Sequence, residues 1–432
     1  MVSETSLRET EAEGVRAHCH VNTNEGGDRF VGIKAGPEGG MAFFPIGYEL
    51  PETEDELRAD IRNLIQVLSE LTTREERVLA GRGSSAARQA EFPVNAYRTV
   101  IETYLAAGGA YYVEREPVYR TAVSGNIHWP RTVRRQRPLV QQKGGVSSFV
   151  YTEFSVRASE PDEAKLITRI HRFCVYEAFR RLGWLYVSHM PEPPGSHPDV
   201  KTSLAVLNGK LAATNDDRKR TLFQAMRDML LSLDEEHPEM EVSFGTENFE
   251  RVWEKLVDRA FGVRDKSRYF PQARWYLKYN KNGERRPLLP DTVMIWDGKT
   301  YVLDAKCYRY GGTANPDHLP GSSSIHKQIT YGEYIERACG VDPDTLFNAF
   351  IMPYNCARNP FGLKGKMEVI GEAVGDWREN RKYYERIQGI LVDTRYLMRH
   401  YAGNTKEQKQ KLADCIETGL AAGPARGSAS GE

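Results

Sequence analysis

The sequence is short of paired cysteines. Its six (Cys19, Cys174, Cys307, Cys339, Cys356, Cys415) are scattered through 432 residues without a CxxC spacing. That argues against a structural zinc site and fits reduced cytosolic thiols. His18-Cys19-His20 clusters three potential ligands, but in a polar segment and without the second pair zinc needs. No stretch approaches the roughly 18 apolar residues of a membrane span. The N-terminal MVSETSLRETEAEGV lacks the apolar core of a secretory signal, so a cytoplasmic protein is expected. No G-x-x-x-x-G-K-[ST] phosphate loop occurs, so this chain is not expected to hydrolyse nucleotides itself. No Ser-His-Asp or Cys-His arrangement and no internal repeat stand out. Net charge is missing too. With 59 basic and 59 acidic residues the total gives no support for a polyanionic partner, and the local distribution has to be read instead.

What is present is concentrated between Leu288 and Tyr308 (LLPDTVMIWDGKTYVLDAKCY). Two β-branched apolar runs flank Asp297-Gly298, which predicts a hairpin closed by a two-residue type I′ turn. That turn pairs Trp296 with Lys299, and counting outward sets Asp291 opposite Asp304. Cross-strand partners have Cβ atoms about 4.5–5.5 Å apart, so two carboxylates repel there unless a cation lies between them. Lys306, two residues beyond Asp304, leaves the same face. Oxygen ligands from two carboxylates suit Mg²⁺, which lowers the pKa of a bound water. A solvated hairpin is the alternative. Against it, Leu289, Val293, Ile295 and Val302 share the charged face and Met294, Trp296, Tyr301 and Leu303 line the other. Such strands are expected at the centre of an α/β sheet, where an unpaired charge is costly.

Pro290-Asp291 followed by Asp304-Ala305-Lys306 resembles the PD-(D/E)xK nuclease superfamily. That resemblance implies an αβββαβ core with a helix on each side of the hairpin, the first often carrying an acidic metal ligand. Phe244 to Phe261 (FGTENFERVWEKLVDRAF) fits the first helix. Phe249, Trp253, Leu256, Val257 and Ala260 form an apolar face, Thr246 is the expected N-cap, and Glu247, Glu250 and Glu254 lie on the adjoining face. Glu250, nearest the apolar border, is the expected metal carboxylate, with Glu254 beside it. Solvated glutamates, with Glu247 paired to Arg251, are the alternative. After the hairpin, Ser323 or Ser324 is expected to cap a helix through Ala338 carrying Lys327, Gln328 and Tyr331. Several nucleases of the superfamily carry a Gln and a Tyr there, which implies a catalytic role for Gln328. A surface Lys and Gln with a packed Tyr is equally open. Leu346–Tyr354 and Ile387–Tyr396 read as further strands.

FGTENFERVWEKL, LLPDTVMIWDGKTYVLDAKCY and LPGSSSIHKQITYGEYI together are similar to the LlaJI family of restriction endonucleases, as are SGNIHWPRTV (Ser124–Val133) and LITRIHRFCV (Leu166–Val175). The resemblance implies Mg²⁺-dependent, sequence-specific double-strand cleavage of DNA. It also implies a methyltransferase acting on the same site and, for some members, a separate nucleotide-hydrolysing motor subunit. A structure-specific or repair nuclease of the same fold and a non-catalytic DNA-binding subunit are the competing functions.

The expected fold class is α+β, in four regions: a flexible tail (1–40), a mixed N-terminal recognition region (41–240), the nuclease core (241–402), and a C-terminal helix with a disordered tail (403–432). Residues Asp234–Pro238 mark the boundary before the core. The region 41–240 is expected to hold helices at Thr53–Leu71, Asp162–Leu182 and Asp216–Leu233, with strand-like segments at Tyr111–Val113 and Ser148–Phe154. Two basic groups are candidate DNA contacts. Arg131, Arg134, Arg135 and Arg137 follow Trp129, and arginine forks suit phosphates and guanine edges, although a solvated loop is also open. Lys278, Lys281, Arg285 and Arg286 precede the catalytic strand, where they could neutralise backbone phosphates.

Overall fold

The computed structural model describes residues 14–36, 39–78, 92–143, 146–187, 189–233, 242–279 and 286–422. The chain forms two compact units, one from Met1–Phe92 with Met240–Glu432, the other from Pro93–Glu239. Both helices and sheets contribute throughout, so the fold is α+β. Among the described residues no helix is long and apolar enough to cross a membrane.

The first unit begins with strands β1 (Cys19–Val21), β2 (Val31–Gly36) and β3 (Gly39–Phe44) and helix α1 (Glu54–Leu71). A fourth strand, β4 (Val242–Thr246), completes a sheet of order β1-β3-β2-β4. Residues 14–36 therefore do not belong to a flexible tail. Val31, Ile33 and Ala35 are buried, and a Cβ at Gly32 (φ +150°) would collide with the Phe244 carbonyl oxygen. Nor does the unit start at residue 241. Thr53 caps α1, and Leu57, Ile61, Leu64 and Leu68 are buried. Asp60, fully buried on the same helix, meets Arg395 at 2.7 Å and Arg399 at 2.5 Å. A helix with that apolar face needs cover, and the C-terminal part of the chain supplies it.

Helix α2 (Phe249–Phe261) is shorter than expected. Phe244–Thr246 is taken by β4, whose cross-strand partners Ile33 and Val31 outcompete a helical start. Asn248 is the N-cap and makes no side-chain cap. Thr246 instead accepts a hydrogen bond from the Asn248 N–H at 3.1 Å. Glu247 consequently lies before the helix, off the face shared by Glu250 and Glu254.

The main sheet contains β5 (Thr292–Trp296), β6 (Lys299–Ala305), β7 (Leu346–Tyr354), β8 (Met367–Ala373) and β9 (Ile387–Asp393), in the order β5-β6-β7-β9-β8. β5 is an edge strand, not a central one, and Leu289 just before it is 51% exposed. β6 is interior and parallel to β7. Helix α3 (Ser322–Cys339) connects these two strands, the crossover that a parallel pair requires. Its N-cap is Gly321, without a side-chain cap, in place of Ser323 or Ser324. β7 has the expected bounds. β9 stops at Asp393, three residues early, because its carboxylate accepts the Tyr396 N–H at 2.7 Å and caps helix α4 (Thr394–His400). β8 has no counterpart in the sequence expectation. Its register shifts between Val369 and Gly371.

Helix α5 (Lys406–Ala422) is no appendage. Glu417 accepts from the Tyr301 hydroxyl at 2.5 Å and pairs with Lys299 at 2.7 Å, and Gln410 accepts from Trp296 at 2.9 Å. It covers the apolar face of the hairpin. The expected tail at 423–432 lies outside the described residues.

The second unit joins helices Val94–Ala106, Leu166–Leu182, Val200–Ala213 and Asp217–Ser232 to an antiparallel pair of Glu114–Ala122 with Phe154–Asp162 and a hairpin of Leu139–Lys143 with Val146–Val150. Tyr111–Val113 is not a strand, and Ser148–Phe154 is split between two. The expected boundary at Asp234–Pro238 lies outside the described residues.

Candidate active site

The turn at the head of the hairpin sets the site. Asp297 and Gly298 have φ of +47° and +73°, the signs a type I′ turn demands. Trp296 pairs with Lys299 and Thr292 with Leu303, so the same register carried one step further sets Asp291 against Asp304. Asp291 is anchored by its Oδ2, which accepts the Ala305 N–H at 3.0 Å. Asp304 is 1% exposed, and no side chain or backbone donor makes a well-aligned hydrogen bond to either of its oxygens. Lys306 Nζ approaches it, 2.5 Å from Oδ2.

Helix α2 adds a third carboxylate, and it is Glu254. Burial raises its pKa, the charges of Asp304 and Glu250 raise it further, and Lys306 and Lys327 act the other way. Burial, then Asp304, then Glu254 push the Asp291 carboxyl up to about 7, with Lys306 opposing. Three carboxylates thus share this space with Lys306. Glu250, the residue expected to turn inward, is exposed. It lines an adjacent cavity of about 380 Å³ with Glu247, Cys307, Tyr308, Arg309 and His318. The difference follows from position along α2: Glu254 is one turn further from the helix N-terminus than Glu250, and its charge is the one felt by Asp291.

Helix α3 closes the other side. Tyr331 is fully buried, its hydroxyl has no hydrogen-bond partner, and burial followed by the charges of Asp304 and Asp291 pushes its pKa up. Lys327 Nζ lies 5.6 Å from the Tyr331 ring centre. The Gln328 amide is buried with neither its nitrogen nor its oxygen bonded. Buried polar groups are rarely left so, and among the described residues the Gln328 amide and the Tyr331 hydroxyl have no hydrogen-bond partner, while Asp304 meets the Lys306 ammonium. Those groups and the surplus of negative charge fit a hard divalent cation with oxygen ligands. Asp291, Asp304 and Glu254 are the side chains that would hold it.

The basic groups are distributed differently. Arg131, Arg134 and Arg135 lie on a short helix, Trp129–Arg135, capped by His128, and not on a loop. Arg131 is stacked over Tyr119 at 4.7 Å, whereas Arg134, Arg135 and Arg137 are exposed. All four belong to the second unit. Lys281 and Arg285 lie outside the described residues. Arg286 begins a two-residue strand paired with Ala273.

The profile of the LlaJI restriction endonucleases matches residues 30–370. The chain belongs to the LlaJI restriction endonuclease family. As a member, it is a restriction enzyme acting on DNA, and the matched span contains both strands of the Asp291–Asp304 hairpin and both flanking helices. A comparison with curated proteins finds no relative. Among solved structures, the assembly of Thermococcus gammatolerans McrB AAA+ hexamers with bound McrC is similar over 90% of this chain and 82% of that one, at 16% identity and a TM-score of 0.37. The McrBC complex of the same organism is similar over 55% and 68%, at 20% identity and a TM-score of 0.23. TM-scores this low do not establish a common fold.

One further acidic group was not anticipated in this LlaJI-family chain. Among the described residues, Glu49, Cys356 and Asp393 bring their ligand atoms within 4.8 Å of one another. A cation is already there. Lys366 Nζ is 2.9 Å from Cys356 Sγ and 3.5 Å from Asp393 Oδ1, while Asp393 also caps α4 and accepts the Cys356 N–H. Burial raises the Cys356 thiol. The cluster ties β7 to β9 and α4. Its members come from three separate segments, so no local pattern announced it.

Proposed function

We propose that this chain is a Mg²⁺-dependent deoxyribonuclease with a PD-(D/E)xK core, making double-strand cuts in DNA at a fixed sequence. The observation that carries the reading is the meeting of Asp291 and Asp304 across the hairpin with Lys306 on Asp304. When bound, Mg²⁺ supplies a Lewis acid and acidifies a coordinated water. Asp291, Asp304 and Glu254 hold their oxygens toward that position, and crowding among them is relieved by a cation. The Lys306 ammonium orients the attacking water and stabilises charge developing on the phosphate. Tyr331 and Gln328 offer hydrogen-bonding groups that the protein itself leaves unused, suited to positioning the scissile phosphate. The exposed Arg134, Arg135 and Arg137 serve as phosphate and base contacts in the recognition unit. A cognate methyltransferase and a separate nucleotide-hydrolysing motor subunit are partners proposed from the family alone.

The test is to incubate purified protein with mixed-sequence plasmid and Mg²⁺, with and without EDTA, and to sequence the ends. A single recurrent sequence at the ends, lost with EDTA, supports the reading. Cutting only at branched or damaged sites would replace it with a structure-specific nuclease, and no cutting under any condition would remove the catalytic role.

A further inference from the structure

The segment before the catalytic hairpin carries an unusual surface. Trp275, Tyr276 and Tyr279 are 71%, 76% and 85% exposed. Singly exposed apolar residues are ordinary, but three large aromatics within five positions are not. They alternate with cations. Arg274 lies 5.9 Å from the Tyr276 ring centre and Lys278 5.2 Å from that of Tyr279. Between Asp265 and Glu284 the sequence holds five basic residues and no acidic one, in a chain whose charges balance overall.

The base of this arm is fixed beside the site. Gln272 and Ala273 pair with Pro287 and Arg286. The Leu288 N–H donates to the Pro271 carbonyl at 2.8 Å, three residues before Asp291. Upstream, Lys266 Nζ donates to the Asp291 carbonyl oxygen at 2.5 Å. Both ends of the arm are thereby tied to the strand that presents the first catalytic carboxylate.

We infer that Arg274–Tyr279 is a stacking arm for the DNA strand flanking the scissile phosphate. Trp275, Tyr276 and Tyr279 take base faces, and Arg274 and Lys278 take the backbone phosphates. Exposed aromatics interleaved with cations match the two surfaces of an unpaired nucleic-acid strand, since every unstacked base presents a π-face whatever the sequence. The arm therefore contributes affinity and placement without selecting a sequence. This rests on the nuclease reading above for its substrate, but its test is a binding measurement that does not require cutting.

The experiment titrates a short labelled DNA duplex with a single-stranded flank, using the full chain and fluorescence anisotropy, in Ca²⁺, at several KCl concentrations. The Trp275→Ala/Tyr276→Ala/Tyr279→Ala variant is expected to bind about tenfold or more weakly with the salt slope unchanged, because stacking releases no counterions. Replacing the same three residues with Phe should restore affinity. Arg274→Ala/Lys278→Ala should instead lower the slope by roughly 0.9 per lost phosphate contact. Wild-type affinity in the triple Ala variant, or failure of the wild-type chain to bind the duplex, overturns the inference and leaves the arm to another occupant such as a protein surface. A wild-type chain that binds but never cuts, with the triple variant losing affinity, sinks the nuclease reading and sustains the arm.

Discussion

Asp291 Oδ2 accepts a hydrogen bond from the backbone N–H of Ala305, the residue between Asp304 and Lys306. One carboxylate is thus clamped to the very backbone that presents the other two members of the motif. The position of Asp291 depends on hairpin register as well as on its own rotamer, and a slip of one residue would turn it to the opposite face.

Removing either hairpin carboxylate should abolish cleavage. Asp291→Ala and Asp304→Ala each delete a ligand from a site with few, so supercoiled plasmid should survive Mg²⁺ incubation intact while DNA binding persists. Lys306→Ala should lower the cleavage rate by several orders of magnitude and leave metal affinity, followed by isothermal titration with Ca²⁺ or Mn²⁺, largely in place. Wild-type-like cutting by any of the three would remove the assignment.

The crowding of carboxylates predicts a pH dependence of the metal-free protein. The Asp291 pKa is raised from 3.8 to about 7, so the folded state binds its proton more tightly than the unfolded chain does. Its contribution to stability is fully present below pH 4 and is lost as pH rises to about 7. In EDTA, Asp291→Asn should therefore be more stable than wild type at pH 8, by about 1–3 kcal/mol given the coupling to Asp304, and equal to it near pH 4. Added Mg²⁺ should raise the wild-type melting temperature at pH 8 and have little effect at pH 5. Identical pH–stability curves for the two proteins would contradict the crowding.

Among the helix carboxylates, Glu254→Gln should slow cleavage more than Glu250→Gln, and Glu247→Gln least. Glu254 shares the field of Asp304 and Lys306, whereas Glu250 and Glu247 are exposed on the neighbouring cavity. Single-turnover rates with one oligonucleotide substrate would rank the three.

Replacing Arg134, Arg135 and Arg137 with Ala should weaken DNA binding and reduce the salt slope by roughly one unit per lost phosphate contact. If an arginine reads a guanine edge, its loss also relaxes preference there, by about 1–3 kcal/mol. Unchanged affinity and slope would make this a solvated helix end.

Asp60→Ala should destabilise the first unit by about 1–3 kcal/mol, because it removes the buried carboxylate shared by the half-buried Arg395 and the exposed Arg399. Chemical denaturation of the full chain followed by far-UV dichroism measures it. A change below about 1 kcal/mol would mean the ion pairs are solvated.

How much of this was legible depends on the range of the interactions. The hairpin, its register and the bounds of β7 were readable, because turn chemistry and strand alternation act within a few residues. Phe244–Thr246 was misread as helix because its partner strand lies at Val31–Ala35, and pairing at that distance leaves no local mark. The choice between Glu250 and Glu254 turned on how far along the sheet the helix lies, because the two residues share one helical face and no local pattern tells them apart. The edge position of β5 and the role of α5 as cover for Tyr301 and Lys299 depend on sheet order, which alternation does not encode. The aromatic arm was half seen, as charge without its rings.

The pairing of β2 with β4 has a kinetic meaning. Ile33 and Phe244 face each other across a sheet although more than 200 residues separate them, and Glu417 closes the same unit from still further along. On the ribosome the stretch Pro93–Glu239 is released whole while the unit that encloses it in sequence still lacks β4, the hairpin and the last helix. Order of synthesis and order of completion are inverted. Contacts this remote also fold slowly, so the early strands β1 to β3 wait with their pairing edges unfilled, the state in which chains of this size are most exposed to aggregation and to chaperones.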